Sequence, residues 1–173
     1  SARPACPAHS PRITRRIAAP RASTCARRCR AAWPSEPVRF AAKLGCGGGG
    51  IQGYAYLGPT QDARDGLVLL ANVFGSEGEI KLGNMNRVTT HEMGHYLSLY
   101  HTFQNVQSCE QNENDCNTAG DQVCDTPVTT MNNTCSDNPC EAILENYMDY
   151  TPQSCRNMFT EGQRDRMRAM LET

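Results

Sequence analysis

Three of the chain's four His fall within His91-Glu92-Met93-Gly94-His95-Tyr96-Leu97-Ser98-Leu99-Tyr100-His101, with a carboxylate beside the first of them. Two His four residues apart lie above one another on one helical face, so both Nε2 atoms can reach a single tetrahedral ion at about 2.0–2.1 Å. Glu92, adjacent to His91, is placed to take a proton from water activated on that ion and pass it to a leaving amine. His101 follows His95 by six residues, a spacing that no continuous helix puts on one face, so the helix must stop and turn for the third imidazole to join. Three protein ligands leave a fourth position open for water, as a catalytic zinc site requires. An isolated His-Glu-x-x-His also occurs in amphipathic helices with surface His; the crowding of three of the four His around this one favours the metal.

Downstream, Asn146-Tyr147-Met148-Asp149-Tyr150-Thr151 places a Met two residues before a Tyr. On composition alone such a Met is ordinary core. Beside a zinc sequence it resembles the Met-turn of metzincins. With Gly120-Asp121-Gln122-Val123-Cys124-Asp125-Thr126-Pro127, Phe159-Thr160-Glu161-Gly162-Gln163, Arg166-Met167, Gly53-Tyr54-Ala55-Tyr56 and Asp65-Gly66-Leu67-Val68, the chain resembles the pappalysin branch of the metzincins from about Gly50 to Thr173. That resemblance implies an α+β, metzincin-like zinc peptidase catalytic domain. Its parts would be a small sheet, an active-site helix, an irregular disulfide-rich C-terminal subdomain and a terminal helix, with the upper subdomain incomplete. It implies His91, His95 and His101 as zinc ligands, Glu92 as general base, Met148 under the metal, and Tyr150 as donor to the developing oxyanion. The rival role for Tyr150 is a buried aromatic with a satisfied hydroxyl. An extended substrate would pair with an edge strand over Gly53, Tyr54, Ala55 and Tyr56. One position departs from the pattern. Metzincins usually carry Gly three residues before the third His, where the backbone turns left-handed, and here Ser98 stands there. The expected cost is on the order of 1 kcal/mol, with the fold weakened or His101 shifted.

At 173 residues the chain can bury one core. It has no apolar run of roughly 20 residues to span a membrane, and no segment reads as a secretion signal. The overall charge of −1 hides an asymmetry: residues 1–46 hold nine Arg and Lys43 against Glu36 alone, a net +9, while the remainder carries −10. Four consecutive Gly after Cys46 mark a joint. Residues 1–49 therefore read as an Arg/Ala/Pro-rich arm with little packed structure, either a propeptide remnant or an artefact of gene prediction, and 50–173 as the catalytic domain. A basic arm can also bind nucleic acid. Only Trp33 and Phe40 accompany the charge as stacking residues, which argues against that partner.

Beyond the joint, Ile51 to Leu57 reads as a short strand and Leu67 to Val73 as a more buried one. The active-site helix runs from Arg87 to about Leu97 with Asn86 as N-cap, and a last helix runs from the Thr160 cap, with Gln163 completing a capping box, to about Leu171. Phe103 to Leu144 is a long irregular region, of the kind usually functional or stapled. Cys109, Cys116, Cys124, Cys135, Cys140 and Cys155 crowd that region and its flank. An even number suggests disulfides and an oxidising compartment, and the lack of a Cys-x-x-Cys pair weighs against a second zinc site. By the resemblance Cys155 pairs with Cys135, and Cys140 with Cys109 or Cys116. Asn132-Asn133-Thr134 is a glycosylation acceptor in a eukaryotic host. Asp121 and Asp125, with Glu110, Glu113 and Asp115, offer oxygens for Ca2+, against the alternative of a solvated acidic loop.

These features point to a secreted zinc endopeptidase acting on protein or peptide substrates through a Glu-activated water. The alternative is a zinc-binding but catalytically inactive fragment or module. Relatives that prefer a basic residue after the scissile bond carry an acid shortly after the Met-turn. Pro152, Gln153 and Ser154 stand there instead, so an Arg preference is not expected.

Overall fold

A computed structural model of the chain describes residues 50–62, 64–75, 85–109, 116–136, 140 and 142–172, together with the backbone of one earlier strand. Leu67–Leu70 (β3) is the middle strand of a three-stranded sheet. Its sequence LVLL buries Leu67 and Leu69 and leaves Val68 and Leu70 half-buried, the period of two expected of a strand with one face on a core. Gly53–Ala55 (β2) pairs with it antiparallel, Tyr54 opposite Val68. On the other side Val38–Ala41 (β1) pairs with it in parallel, Val38 opposite Leu67. That strand falls in the stretch read from sequence as an arm with little packed structure. Its four residues VRFA are too short to carry a periodic signal, and pairing with β3 supplies what local pattern does not.

Both expected strands are shorter than their apolar runs. After Ala55 the chain leaves the sheet for the end of the active-site helix, where the Gly58 N–H donates to His95 O at 3.3 Å. After Leu70 a single 3-10 turn, Ala71–Val73, tucks Val73 into the core with Leu67, Leu69 and Val88.

The active-site helix, α1, spans Arg87–Tyr96. Asn86 sits at the N-cap position as expected, yet its side chain caps no helical N–H; it accepts from Thr89 Oγ1 and the Gly75 N–H. The first-turn donor is met from far along the chain. Gln153 Oε1 accepts the N–H groups of Arg87 at 3.0 Å and Met85 at 3.2 Å. At the other end Ser98 N–H donates to His95 O at 2.8 Å and Leu99 N–H to Gly94 O at 2.9 Å, with Ser98 at φ +70°. This is the Schellman pattern, in which the left-handed residue after the cap lets two orphan carbonyls be satisfied. Ser98 thus adopts the Gly-favoring conformation.

The C-terminal half has little regular structure apart from Glu161–Leu171 (α2), which carries the expected capping box between Thr160 and Gln163. Covalent links compensate: Cys109–Cys140, Cys116–Cys124 and Cys135–Cys155. The 135–155 link and the choice of Cys109 for Cys140 agree with the pairing implied by the resemblance. Within α2 the fully buried Gln163 binds the fully buried Asn146 through both amide groups, at 3.0 and 3.2 Å, so the last helix holds the segment that leads into Met148. Ser98→Gly removes the left-handed strain together with the Ser98 Oγ hydrogen bond to Met170 Sδ at 3.1 Å, and because a thioether is a weak acceptor the expected net gain in stability is about 0.5 kcal/mol. Urea denaturation of the metal-loaded proteins measures this, and zinc content should be unchanged.

Candidate metal centre and cleft

Three imidazoles meet at the C-terminal end of α1. His91 and His95 come from successive turns of one face, and the Schellman reversal at Ser98 brings His101 back to them. Their Nε2 atoms converge, His91 to His101 at 3.2 Å and His95 to His101 at 3.0 Å, and one ligand atom from each lies within 4.8 Å of the others. The expected displacement of His101 by Ser98 does not occur.

The other face of two rings decides the chemistry. His91 Nδ1 lies 2.6 Å from Tyr147 O and His95 Nδ1 lies 2.7 Å from Leu99 O. A carbonyl only accepts, so each Nδ1 carries the proton and each Nε2 presents a lone pair. His101 Nε2 can donate to at most one of them. Lone pairs left facing one another suit a shared cation, and backbone carbonyls that set the tautomer are the usual outer partners of metal-bound His. Burial pushes all three imidazoles below their ordinary range, His101 to about 4 with a further contribution from His95, so they remain neutral at pH 7. The donor set fits zinc.

Glu92, 6% exposed, lines the same cleft, and burial pushes its carboxyl up to about 7, against the lowering effects of the Ala55 N–H and Arg156. Gly53 is pressed on it: a Cβ there would overlap Glu92 Cγ and Leu69 Cδ2. Met148 is fully buried beneath α1, and Gly94 is the residue that lets it in, since a Cβ at that position would run into Met148 Sδ. Tyr150 follows on the cleft side, its ring 4.8 Å from His101, 5.8 Å from His91 and 4.9 Å from Phe103. At 46% exposure it is not the buried aromatic of the rival reading. Desolvation, with the Glu92 charge, raises its hydroxyl, which keeps it protonated as a donor.

The cleft, about 880 Å³, lies between β2 and the segment 150–156. Leu70 N–H donates to Gln52 O, so on the alternating antiparallel register Tyr54 faces β3 and the backbone groups of Gly53 and Ala55 face the cleft. Tyr56 lies beyond the strand and is exposed. Two further residues line it: Gln153, noted in sequence only for the missing acid and here anchoring the start of α1, and Arg156, which sequence reasoning passed over. Neither sits in a local motif.

The acidic residues suggested for Ca2+ are otherwise engaged. Asp121 accepts from Gln163 Nε2 at 2.6 Å and Val123 N–H at 3.0 Å, while Asp125 accepts from Thr160 Oγ1 at 2.7 Å and Gly162 N–H at 2.8 Å. Their oxygens tether the N-terminus of α2, where carboxylates also favour the helix dipole, and among the described residues the His triad is the one group arranged to hold a metal. Glu110, Glu113 and Asp115 lie outside the described residues. The glycosylation reading also fails on burial. Asn132, 6% exposed, gives its amide nitrogen to Thr129 Oγ1, Thr130 O and Asp149 Oδ2.

Burial is the leading cause that raises Asp121 from 3.8 to about 6, overcoming the hydrogen bonds from Gln163 and Val123. The folded state therefore holds this proton more tightly than the unfolded state, and its contribution to stability falls as pH rises from about 4 to about 6. Asp121→Asn removes that slope. Between those pH values the wild-type protein should lose on the order of 2 kcal/mol relative to the variant, measured by urea denaturation at each pH.

Residues 49–172 match the Peptidase M43 family described as pregnancy-associated plasma protein-A. An extracellular metalloprotease of Pyricularia oryzae is 35% identical over 135 residues, covering 71% of this chain and 44% of its own length. Extracellular metalloprotease 1 of Coccidioides posadasii is 36% identical over 137 residues, covering 70% and 45%. Among solved structures, mature mirolysin of Tannerella forsythia in complex with a cleaved peptide superposes with a TM-score of 0.59 at 33% identity, over 70% of this chain and 47% of that one. The chain thus spans less than half the length of these relatives. With its His triad, Met-turn and helix–sheet arrangement, it belongs to the pappalysin family of metzincin-like zinc metallopeptidases.

Proposed function

We propose that this chain carries the catalytic centre of a secreted zinc endopeptidase, with residues 50–173 as its catalytic domain. The observation that carries this reading is the placement of the buried Glu92 carboxylate in the same cleft as three converging Nε2 lone pairs. His91, His95 and His101 would hold the ion. Bound there, zinc lowers the pKa of water and polarises a carbonyl. Glu92 takes the proton of the attacking water and returns it to the departing amine, a role suited to a carboxyl whose burial already lifts it toward neutrality. Tyr150 offers its phenolic hydrogen to the oxygen that gains charge on the substrate carbonyl.

An extended peptide would lie along β2. Ala55 already gives its N–H to Glu92, so the Gly53 backbone and the Ala55 carbonyl are the groups left to pair with it. Three disulfides in the C-terminal half, and the extracellular names of the relatives, support an oxidising, extracellular setting.

Exposure of a mixed peptide library to the oxidised, zinc-loaded chain, read by mass spectrometry, should show cuts that disappear on chelation and return with zinc. Glu92→Gln should retain stoichiometric zinc and lose roughly 10²–10⁴-fold in cleavage rate. A folded, zinc-loaded wild-type chain that cuts nothing would make this a metal-binding module without catalysis.

A further inference from the structure

The cleft holds one group that neither zinc binding nor proton transfer uses. Arg156 is 9% exposed and lines the cleft together with Tyr150, Thr151, Pro152, Gln153 and Asn133. Its Nη1 donates to Asp149 O at 3.3 Å, a long bond that occupies one of five guanidinium donors, and its Nε is buried with no partner. Among the described residues it forms no ion pair. The nearby Asp149 carboxylate favours its charge through space but makes no ion pair with it, its oxygens being taken by neutral donors: Oδ1 by the N–H groups of Tyr150 and Asn132, Oδ2 by the Asn132 amide.

A buried charge with no direct ion pair is costly, and guanidinium cannot shed its proton to escape the cost. Folded chains keep such a group where something else supplies the counter-charge. Glu92 is the sole carboxylate among the described residues that line the cleft, and it is already engaged by the Ala55 N–H. A substrate with a basic side chain therefore meets a cation and no free acid. A substrate with an acidic one meets a guanidinium that lines the cleft and has no carboxylate bonded to it, and a charge-assisted Arg–carboxylate bond is strong.

We propose that Arg156 forms the base of a substrate side-chain pocket and selects an Asp or Glu residue beside the scissile bond. This rests on the peptidase reading for its cleavage consequence, while the binding consequence stands without it.

The test has two readouts, both on the zinc-loaded full chain with C-terminally amidated peptides. In cleavage of a mixed library by the wild type, Asp and Glu should be enriched about tenfold over Asn and Gln at one position next to the cut. In binding to the Glu92→Gln chain, fluorescent peptides bearing the acidic residue should bind about tenfold more tightly than their amide counterparts. Arg156→Gln should remove the preference in both, and Arg156→Lys should keep part of it. Added salt should weaken the acidic advantage in the wild type, a check that needs no variant. Cleavage with no acidic preference overturns the pocket and leaves the peptidase. Preferential binding of acidic peptides with no cleavage does the reverse. Equal losses for acidic and neutral peptides in Arg156→Gln would reduce Arg156 to a support of Asp149 and overturn the proposal. So would a preference that appears only when the peptide C-terminus is a free acid, since the counter-charge would then be terminal.

Discussion

Two hydrogen bonds from imidazole to backbone, His91 to Tyr147 O and His95 to Leu99 O, organise everything around the centre. Each forces a tautomer that aims a lone pair inward, and each ties α1 to a segment that must be correctly placed. Leu99 O is in position because the chain reverses at Ser98. Tyr147 O is in position because Asn146 is held by Gln163 of α2, while Met148 fills the space left open at Gly94. Packing, helix capping and ligand geometry are therefore one constraint. A shift of an ångström at either carbonyl would rotate a ring away from the shared focus.

The parts of this arrangement legible in sequence are those whose partners lie close in the chain. His91, Glu92 and His95 lie on successive turns of one helix, Thr160 and Gln163 of the capping box are three residues apart, and a reversal between His95 and His101 follows from where a third His must go. The pairing of β1 with β3 is not of this kind. Val38–Ala41 sits among Arg, Ala and Pro, and what makes it a strand is a neighbour some thirty residues away in sequence. The start of α1 shows the same limit: Asn86 has the right residue type at the right place, but a glutamine 66 residues downstream meets the Arg87 N–H.

Residue inventory also misleads where partners are hidden. Asp121 and Asp125 have the oxygens a hard cation wants, and Asn132 stands in an acceptor triplet, yet all three are consumed by internal donors and acceptors. Arg156 errs in the opposite direction. Nothing around it in sequence marks it, and its significance lies in bonds it does not make. Unsatisfied groups are a tertiary property, visible only once every neighbour has been placed.

The Cys135–Cys155 link sits directly beside Arg156 and joins the wall of the cleft to the 130s segment. The three His occupy a separate stretch, 91–101, that no disulfide touches. The wall of the cleft and the His triad thus lie on separate pieces of chain that meet at Tyr147 and Met148. Change within 151–156 therefore alters the wall of the cleft without touching the three His, Glu92 or Tyr150.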